Sequence, residues 1–293
     1  MTDATDGLWY WITERHRIYE RRQAGVLPPW TMDPVLARGH FTNVYRELDP
    51  GTKYIVGQLR DGHLRGYPRE EAVMTAVTYR MGLWEDSLEA LGGWIPIGEE
   101  FARDAAMLDA TLSAMARPFT NAYMVSNLFR KGPKVGVVID ALGDAARRLA
   151  TDGFHPGSRE EAIATLQTYR GVGPFVAFQA VVDLSYVEAG GWLPWSNDGF
   201  ALAGPGAKRG LKLLFPEERH WNERVADERL AELCAMEADR LPRAMPYVDR
   251  ANMQNCCCEY GKWAKATDGR GGLRRLFDAR ASHERDNALE ALV

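Results

Sequence analysis

Cysteine is scarce in this sequence and unusually placed: there are four, Cys234 and the consecutive run Cys256, Cys257 and Cys258. Neighbouring cysteines are poorly set to bridge one another or to surround one tetrahedral ion. A disulfide framework is therefore not expected, and a reduced cytoplasmic setting is. There is no window of about 18 uncharged apolar residues, and the start carries Asp3 and Asp6 where an export signal would place basic residues before an apolar run. Neither a membrane span nor export is expected. The chain also lacks Gly-x-x-x-x-Gly-Lys-Ser/Thr, which argues against an NTP-driven kinase within these residues. No set of His, Cys and carboxylates has metal-binding spacing, so no metal site and no cofactor are predicted, although a Mg²⁺ ion brought in on a phosphate would leave no trace in a sequence. Strand signals are thin as well. No Asn-Gly or Asp-Gly turn sits between alternating runs, and the β-branched stretch Val135 to Ile139 flows straight into a helical pattern.

What is present is helix. The 293 residues are 46% hydrophobic and 26% charged, enough for one large core or two modest ones. Phe101, Leu108, Leu112 and Met115 recur at helical spacing, as do Val138, Leu142, Ala145 and Leu149, and then Ile163, Leu166 and Tyr169. Ser158 followed by Glu161 has the form of a capping box. Breaks fall at Gly92-Gly93, Gly132-Pro133, Gly190-Gly191 and Gly204-Pro205-Gly206, with no low-complexity linker and no internal repeat. The reading is a mostly α protein, one helical domain over residues 1–293 with two lobes as a variant. The formal charge of −4 argues against a general nucleic-acid coat. Local basic patches remain, at Arg15, Arg17, Arg21 and Arg22, at Lys208, Arg209 and Lys212, and from Lys262 to Arg280; each also reads as a solvated helix face.

Four stretches carry chemistry. "EAIATLQTYRGVGPFVAFQAVVDL" reads as helix, glycine turn, helix: a helix-hairpin-helix at about residues 160–185. Gly171 and Gly173 allow backbone shapes and close approach that a side chain would prevent, and Pro174 suits a first helical turn. Amides at such a helix start favour a phosphate, while an αα corner with buried glycines is the plainer explanation. "GPGAKRGLKLLFP" reads as a second glycine turn bearing Lys208 and Arg209, with a helix beginning near Gly210. In "NMQNCCCEYGKW", residues 252–263, a helix would place Asn255, Cys258, Glu259 and Lys262 on one face. A surface ion pair and buried small cysteines would explain the same pattern. Near the front, Trp30, Asp33, Asn43, Arg46, Glu47 and Asp49 crowd polar groups among large apolar ones.

Together "PWTMDPVL", "FTNVYRELD", "GVGPFVAFQAVVDL", "GPGAKRGL" and "MQNCCCEYGKW" resemble the motif series of the alpha-glutamyl/putrescinyl thymine pyrophosphorylase superfamily, over roughly residues 9–265. The resemblance implies a helix-hairpin-helix DNA-glycosylase-like helical domain of bacteriophage origin, working in the host cytoplasm. That superfamily includes amino acid:DNA transferases and the helical region of 5-hydroxymethyluracil DNA kinases. What it implies for this chain is a transferase. Double-stranded DNA containing 5-phosphomethyl- or 5-pyrophosphomethyl-deoxyuridine reacts with a free amino acid, glycine being the expected donor, and phosphate or pyrophosphate leaves.

The reaction assigns work to residues. The nucleotide would be flipped into a pocket, with Gly171, Gly173, Lys208 and Arg209 on the DNA backbone and Trp195 or Phe200 stacked on the base. The leaving phosphate calls for a cationic fork, Arg46 first and Arg15 second. A carboxylate must take a proton from the attacking amine, and Asp183, Asp198 and Glu259 are the candidates. Asp183 reads equally as a cap or ion pair at a helix end. Asn43, Gln179, Asn255, Cys258 and Lys262 complete the expected pocket. Direct displacement is favoured over a route through a Cys258 thiolate. The competing classes are a kinase-related or non-catalytic module that binds modified DNA, and a base-removing glycosylase with Lys208 as its amine.

Overall fold

A computed structural model describes residues 4–120, 133–187, 192, 193, 195, 198–273, 276 and 277. The chain divides into two compact units: Met1–Arg46 with Ala203–Val293, and Glu47–Leu202. Both are built from helices. Among the described residues there is no named strand, only isolated bridges at Gly39 with Leu276 and at Leu83 with Phe119. No helix is long and apolar enough to cross a membrane.

The first unit contains α1 (Asp6–Gln23) and α2 (Pro34–Arg38). From the later part of the chain it adds α10 (Pro205–Leu214), α11 (Glu223–Arg240) and α12 (Arg250–Thr267). Helix α12 is the hub, packed by α1, α2, α10 and α11. Its closest neighbour is α10, and glycine is the reason. A Cβ on Gly210 would overlap the backbone carbonyl of Cys257, one on Gly206 would overlap the Cys258 sulfur, and one on Gly261 would lie 3.2 Å from Gly210. Three missing side chains bring the two helices into backbone contact. The glycine turn expected before Gly210 is therefore inside the helix: Gly204 is the N-cap and Pro205 the first helical residue, so Lys208 and Arg209 sit on the first turns of α10.

The second unit contains α3 (Pro50–Leu64), α4 (Arg69–Arg80), α5 (Glu85–Ala90), α6 (Gly98–Ala114), α7 (Lys134–Asp152), α8 (Arg159–Gln167) and α9 (Pro174–Ser185). The periodic residues of α6, α7 and α8 are buried as their spacing predicts, except that Met115 lies past the end of α6. Ser158 caps α8 by accepting from the Glu161 amide at 3.1 Å. The Glu161 carboxylate reaches back to the Gly157 amide at 2.7 Å, one residue beyond the usual capping-box partner. Helix α9 is enclosed by α3, α4 and α8, which is why its run from Val176 to Leu184 is buried on every side. In the turn before α9, Gly171 has φ 75° and needs glycine for that reason. Gly173 does not: its backbone is extended, it is exposed, and a Cβ there would meet nothing within 4 Å.

Two substitutions separate these uses of glycine. Gly210→Ala should lower the free energy of urea unfolding by about 3 kcal/mol or more, because α10 must move off α12. Gly173→Ala should leave it unchanged or raise it by roughly 0.4–1 kcal/mol.

Candidate functional site

In the first unit an irregular segment, Phe41 to Tyr45, leading into a 3-10 turn at Arg46–Leu48, is gripped along α12 by the polar residues of that helix. Asn252 Oδ1 accepts from the Arg46 amide at 2.8 Å, and Asn255 Nδ2 donates to the Asn43 carbonyl at 3.0 Å. The Cys256 thiol faces the Val44 carbonyl at 3.7 Å, and Glu259 accepts from the Thr42 amide at 3.4 Å. From the other side Arg15 donates through Nε to the Thr42 carbonyl at 2.9 Å, and through one terminal nitrogen to the Phe41 carbonyl at 3.2 Å and Asn43 Oδ1 at 2.7 Å. These bonds satisfy backbone groups that would otherwise be buried without partners. The structure thus engages Arg15, Asn43 and Asn255, all expected at a ligand, in holding this segment. Asn252 belongs to the same helical face at i and i+3 of Asn255, a spacing visible in the sequence but not singled out.

What the segment delivers is Arg46. Its side chain is only 8% exposed, its Nε has no hydrogen-bond partner, and no carboxylate pairs with it among the described residues. A buried cation without a counter-ion is costly, because charge is removed from water with nothing to replace it. Nearby, Glu259 is buried and holds Lys262 through an ion pair of 2.5 Å. Cys258 lies against Gly206 on the first turn of α10, and Arg209 Nη2 would be 3.8 Å from a Cβ on that glycine. Arg209 is exposed and also lacks a carboxylate partner among the described residues. Lys208, in contrast, is paired with Glu223 at 2.5 Å.

Burial pushes the Cys258 thiol above its ordinary range; Glu259 adds to this, and Lys262, Arg209 and Arg46 offset part of it. Cys256 and Cys257 are fully buried and raised further, chiefly by desolvation. All three are therefore thiols at neutral pH. Among the described residues no three His, Cys, Asp or Glu side chains lie together as a metal site would require.

The remaining expected residues belong to the second unit. Asp183 is fully buried and makes a two-point ion pair with Arg80, both oxygens at 2.5 Å from guanidinium nitrogens, while Thr52 accepts from the same arginine at 3.3 Å. It bridges α9 to α4, so its carboxylate is engaged inside the core. Nothing in the sequence marks Arg80 as the partner, since it ends a mostly apolar run in α4 and lies 103 positions from Asp183. One helical turn before Asp183, Gln179 is fully buried with neither end of its amide bonded. Asp198, Trp195 and Phe200 are partly exposed. The Gly171 to Gly173 turn presents Gly173 to solvent.

Two measurements follow from these environments. Asp183→Asn should destabilise the chain by about 3–5 kcal/mol in urea unfolding, since it leaves a buried guanidinium without its counter-charge. Iodoacetamide should modify Cys258 only as pH rises above the usual thiol range of about 8.5, and should reach Cys256 and Cys257 only on unfolding. A folded thiol that holds its proton more tightly than the unfolded chain adds stability that is intact at neutral pH and lost as pH climbs through the raised value.

Comparison with known proteins adds the family. No solved structure matches the chain. A curated relative, the 5-hmdU DNA kinase of Bacillus phage SP10, is 28% identical over 280 residues, covering 86% of this chain and 43% of the relative. The chain thus spans less than half of that protein's length. The profile of the family described as "5-hmdU DNA kinase, helical domain" matches residues 2–271. On that match, which takes in most of the sequence, the chain belongs to the family of 5-hmdU DNA kinase helical domains.

Proposed function

We propose that this chain is a DNA-modifying enzyme that acts on a thymine-derived base carrying a phosphorylated 5-hydroxymethyl group and replaces the phosphate by the amine of a free amino acid. The single observation that carries the reading is Arg46: a buried guanidinium without a carboxylate among the described residues, near enough to Cys258 for its charge to act on that thiol. An incoming phosphate would supply the missing counter-charge, and Arg209 on the first turns of α10 would add a second fork. The family match supports the setting, modified DNA in a phage.

In the proposed reaction the amine nitrogen attacks the exocyclic methylene carbon. The carbon–oxygen bond to the phosphate breaks, its electron pair leaves with the phosphate, and a carboxylate takes the proton from the attacking amine. Glu259 is assigned that proton because its charged partner among the described residues is Lys262, whose side chain is half-exposed to solvent. Asp183 is given up for this role, since both of its oxygens are bound to Arg80. Protonated cysteines favour direct displacement over attack by a Cys258 thiolate. The exposed Gly173 turn of the second unit is proposed to receive DNA backbone, as in helix-hairpin-helix proteins.

A second reading rests on the name of the SP10 relative. There the matched region would present modified DNA to a phosphoryl-transfer activity carried by the remainder of a longer protein, and would itself form no new bond.

DNA containing 5-phosphomethyl- or 5-pyrophosphomethyl-deoxyuridine, incubated with the chain and the twenty amino acids and then digested to nucleosides, distinguishes them. A nucleoside with the mass of thymidine joined to one amino acid supports transfer and names the donor. Unchanged nucleosides with tight DNA binding support presentation. Under the first outcome Arg46→Ala should lower kcat/KM by roughly 100-fold or more, Glu259→Gln by about 10²–10⁴, and serine at all three consecutive cysteines by less than about tenfold.

A further inference from the structure

The loop after α1 carries apolar side chains into solvent, and the proposed chemistry makes no use of it. Val26 is 48% exposed, Leu27 83% and Met32 92%. Single exposed leucines are ordinary on protein surfaces; here the exposed positions are held firmly in place. Helix α1 stops with a paired bond pattern, the Gly25 amide donating to the Arg22 carbonyl at 3.0 Å and the Val26 amide to the Arg21 carbonyl at 2.9 Å, with Gly25 at φ 69°. Trp30 Nε1 then donates back to the Val26 carbonyl at 2.6 Å, and the Arg21 guanidinium donates to the Trp30 carbonyl. The Arg22 guanidinium lies 5.4 Å over the Trp30 ring. Residues 26–30 are thus a closed loop, stiffened by Pro28 and Pro29, with Leu27 projecting from it.

Arg21 and Arg22 touch its base through Trp30, and two more arginines lie on the adjoining helices. Arg17, Arg21, Arg22 and Arg38 lie on α1 and α2, and Arg17 and Arg38 are exposed. Of the carboxylates of the same region, Glu14 lies between Arg17 and Arg21 and Asp33 holds the first amides of α2 at 2.8 Å, while Glu20 retains its own charge, since burial keeps the His16 imidazole that it faces from protonating. An apolar projection from a region that sets these four arginines against three carboxylates suits a partner that offers phosphates on the outside and flat apolar faces within. Duplex DNA has that layout.

We propose that Leu27, backed by Val26 and Met32, is a wedge that enters the base stack beside the nucleotide being displaced, while Arg17, Arg22 and Arg38 meet the flanking phosphates. This inference rests on the DNA reading proposed above. A base that must be surrounded for chemistry leaves a gap in the duplex, and an apolar side chain fills it. A loop already fixed by its own hydrogen bonds loses little freedom on insertion.

The test uses the full chain and a duplex with 2-aminopurine next to a single 5-hydroxymethyluracil, read at saturating protein. Wild type should raise the 2-aminopurine fluorescence several-fold. Leu27→Ala should abolish most of that rise and weaken binding by about tenfold, with Met32→Ala intermediate. Leu64→Ala, an equally exposed leucine on α3, should change neither. Binding by wild type without a fluorescence rise, or a full rise with Leu27→Ala, overturns the wedge alone. No duplex binding even at low salt overturns the DNA reading and the wedge with it. A wild-type dimer in sedimentation that Leu27→Ala dissolves assigns the loop to a second copy of the chain and overturns the wedge as well.

Discussion

The backbone contact between α10 and α12 sets the geometry of the first unit. At Gly210 no side chain fits against the Cys257 carbonyl, and Gly206 and Gly261 extend the contact along the crossing. Dispersion between atoms is weak per pair and falls steeply with separation, so surfaces that meet at backbone distance gain contacts that side chains would hold apart. The contact also places chemistry. It brings Arg209 on the first turn of α10 beside Cys258 of α12, next to the face that carries Asn252, Asn255, Cys256 and Glu259. The run of three cysteines makes sense in the same terms. Cys256 and Cys257 are small buried residues, one on the Val44 carbonyl and the other under α10, and only Cys258 reaches the rim.

Buried polar groups in this chain fall into two kinds. Asn252 and Asn255 of α12 and the Nε and one terminal nitrogen of Arg15 are matched to residues 41–46, and the Arg80–Asp183 pair is matched within itself. Arg46 Nε and both ends of Gln179 have no match, and neither do Arg15 Nη1, Arg250 Nε and Gln254 Oε1. Native cores rarely leave such groups unanswered. The backbone before Arg46 is tied at nearly every residue, which fixes where its side chain begins, and no carboxylate among the described residues answers its charge.

Much of the helical architecture was legible in the sequence because periodicity reports burial. The faces of α6, α7 and α8 and the cap at Ser158 could be read from spacing alone. The start of α10 was misplaced because Gly204-Pro205-Gly206 is a turn by composition, whereas Pro at the first helical position and glycine at a helix crossing give the same letters. At the candidate site, spacing placed Asn255, Cys258, Glu259 and Lys262 on one helix, but could not say that Asn255 faces Asn43, which lies 212 positions earlier. Asp183 illustrates the same limit: its partner Arg80 is on another helix, and pairing across such separations is decided by tertiary packing, to which local pattern is blind.

The docking of residues 41–46 on α12 has a consequence for how the chain comes to be folded at all. The first unit is discontinuous, with its opening 46 residues completed by helices that begin after residue 203, while the second unit is one uninterrupted stretch between them. During synthesis the second unit can finish its core as it emerges, since every partner it needs has already been made. The opening segment has to wait, its amides and the Arg46 guanidinium in water, until α12 leaves the ribosome more than 200 residues later. Closing a loop of that length costs little more than closing one half as long. Assembly of the proposed phosphate site therefore follows completion of the second unit, and a product truncated before α12 would carry a finished second unit and no such site.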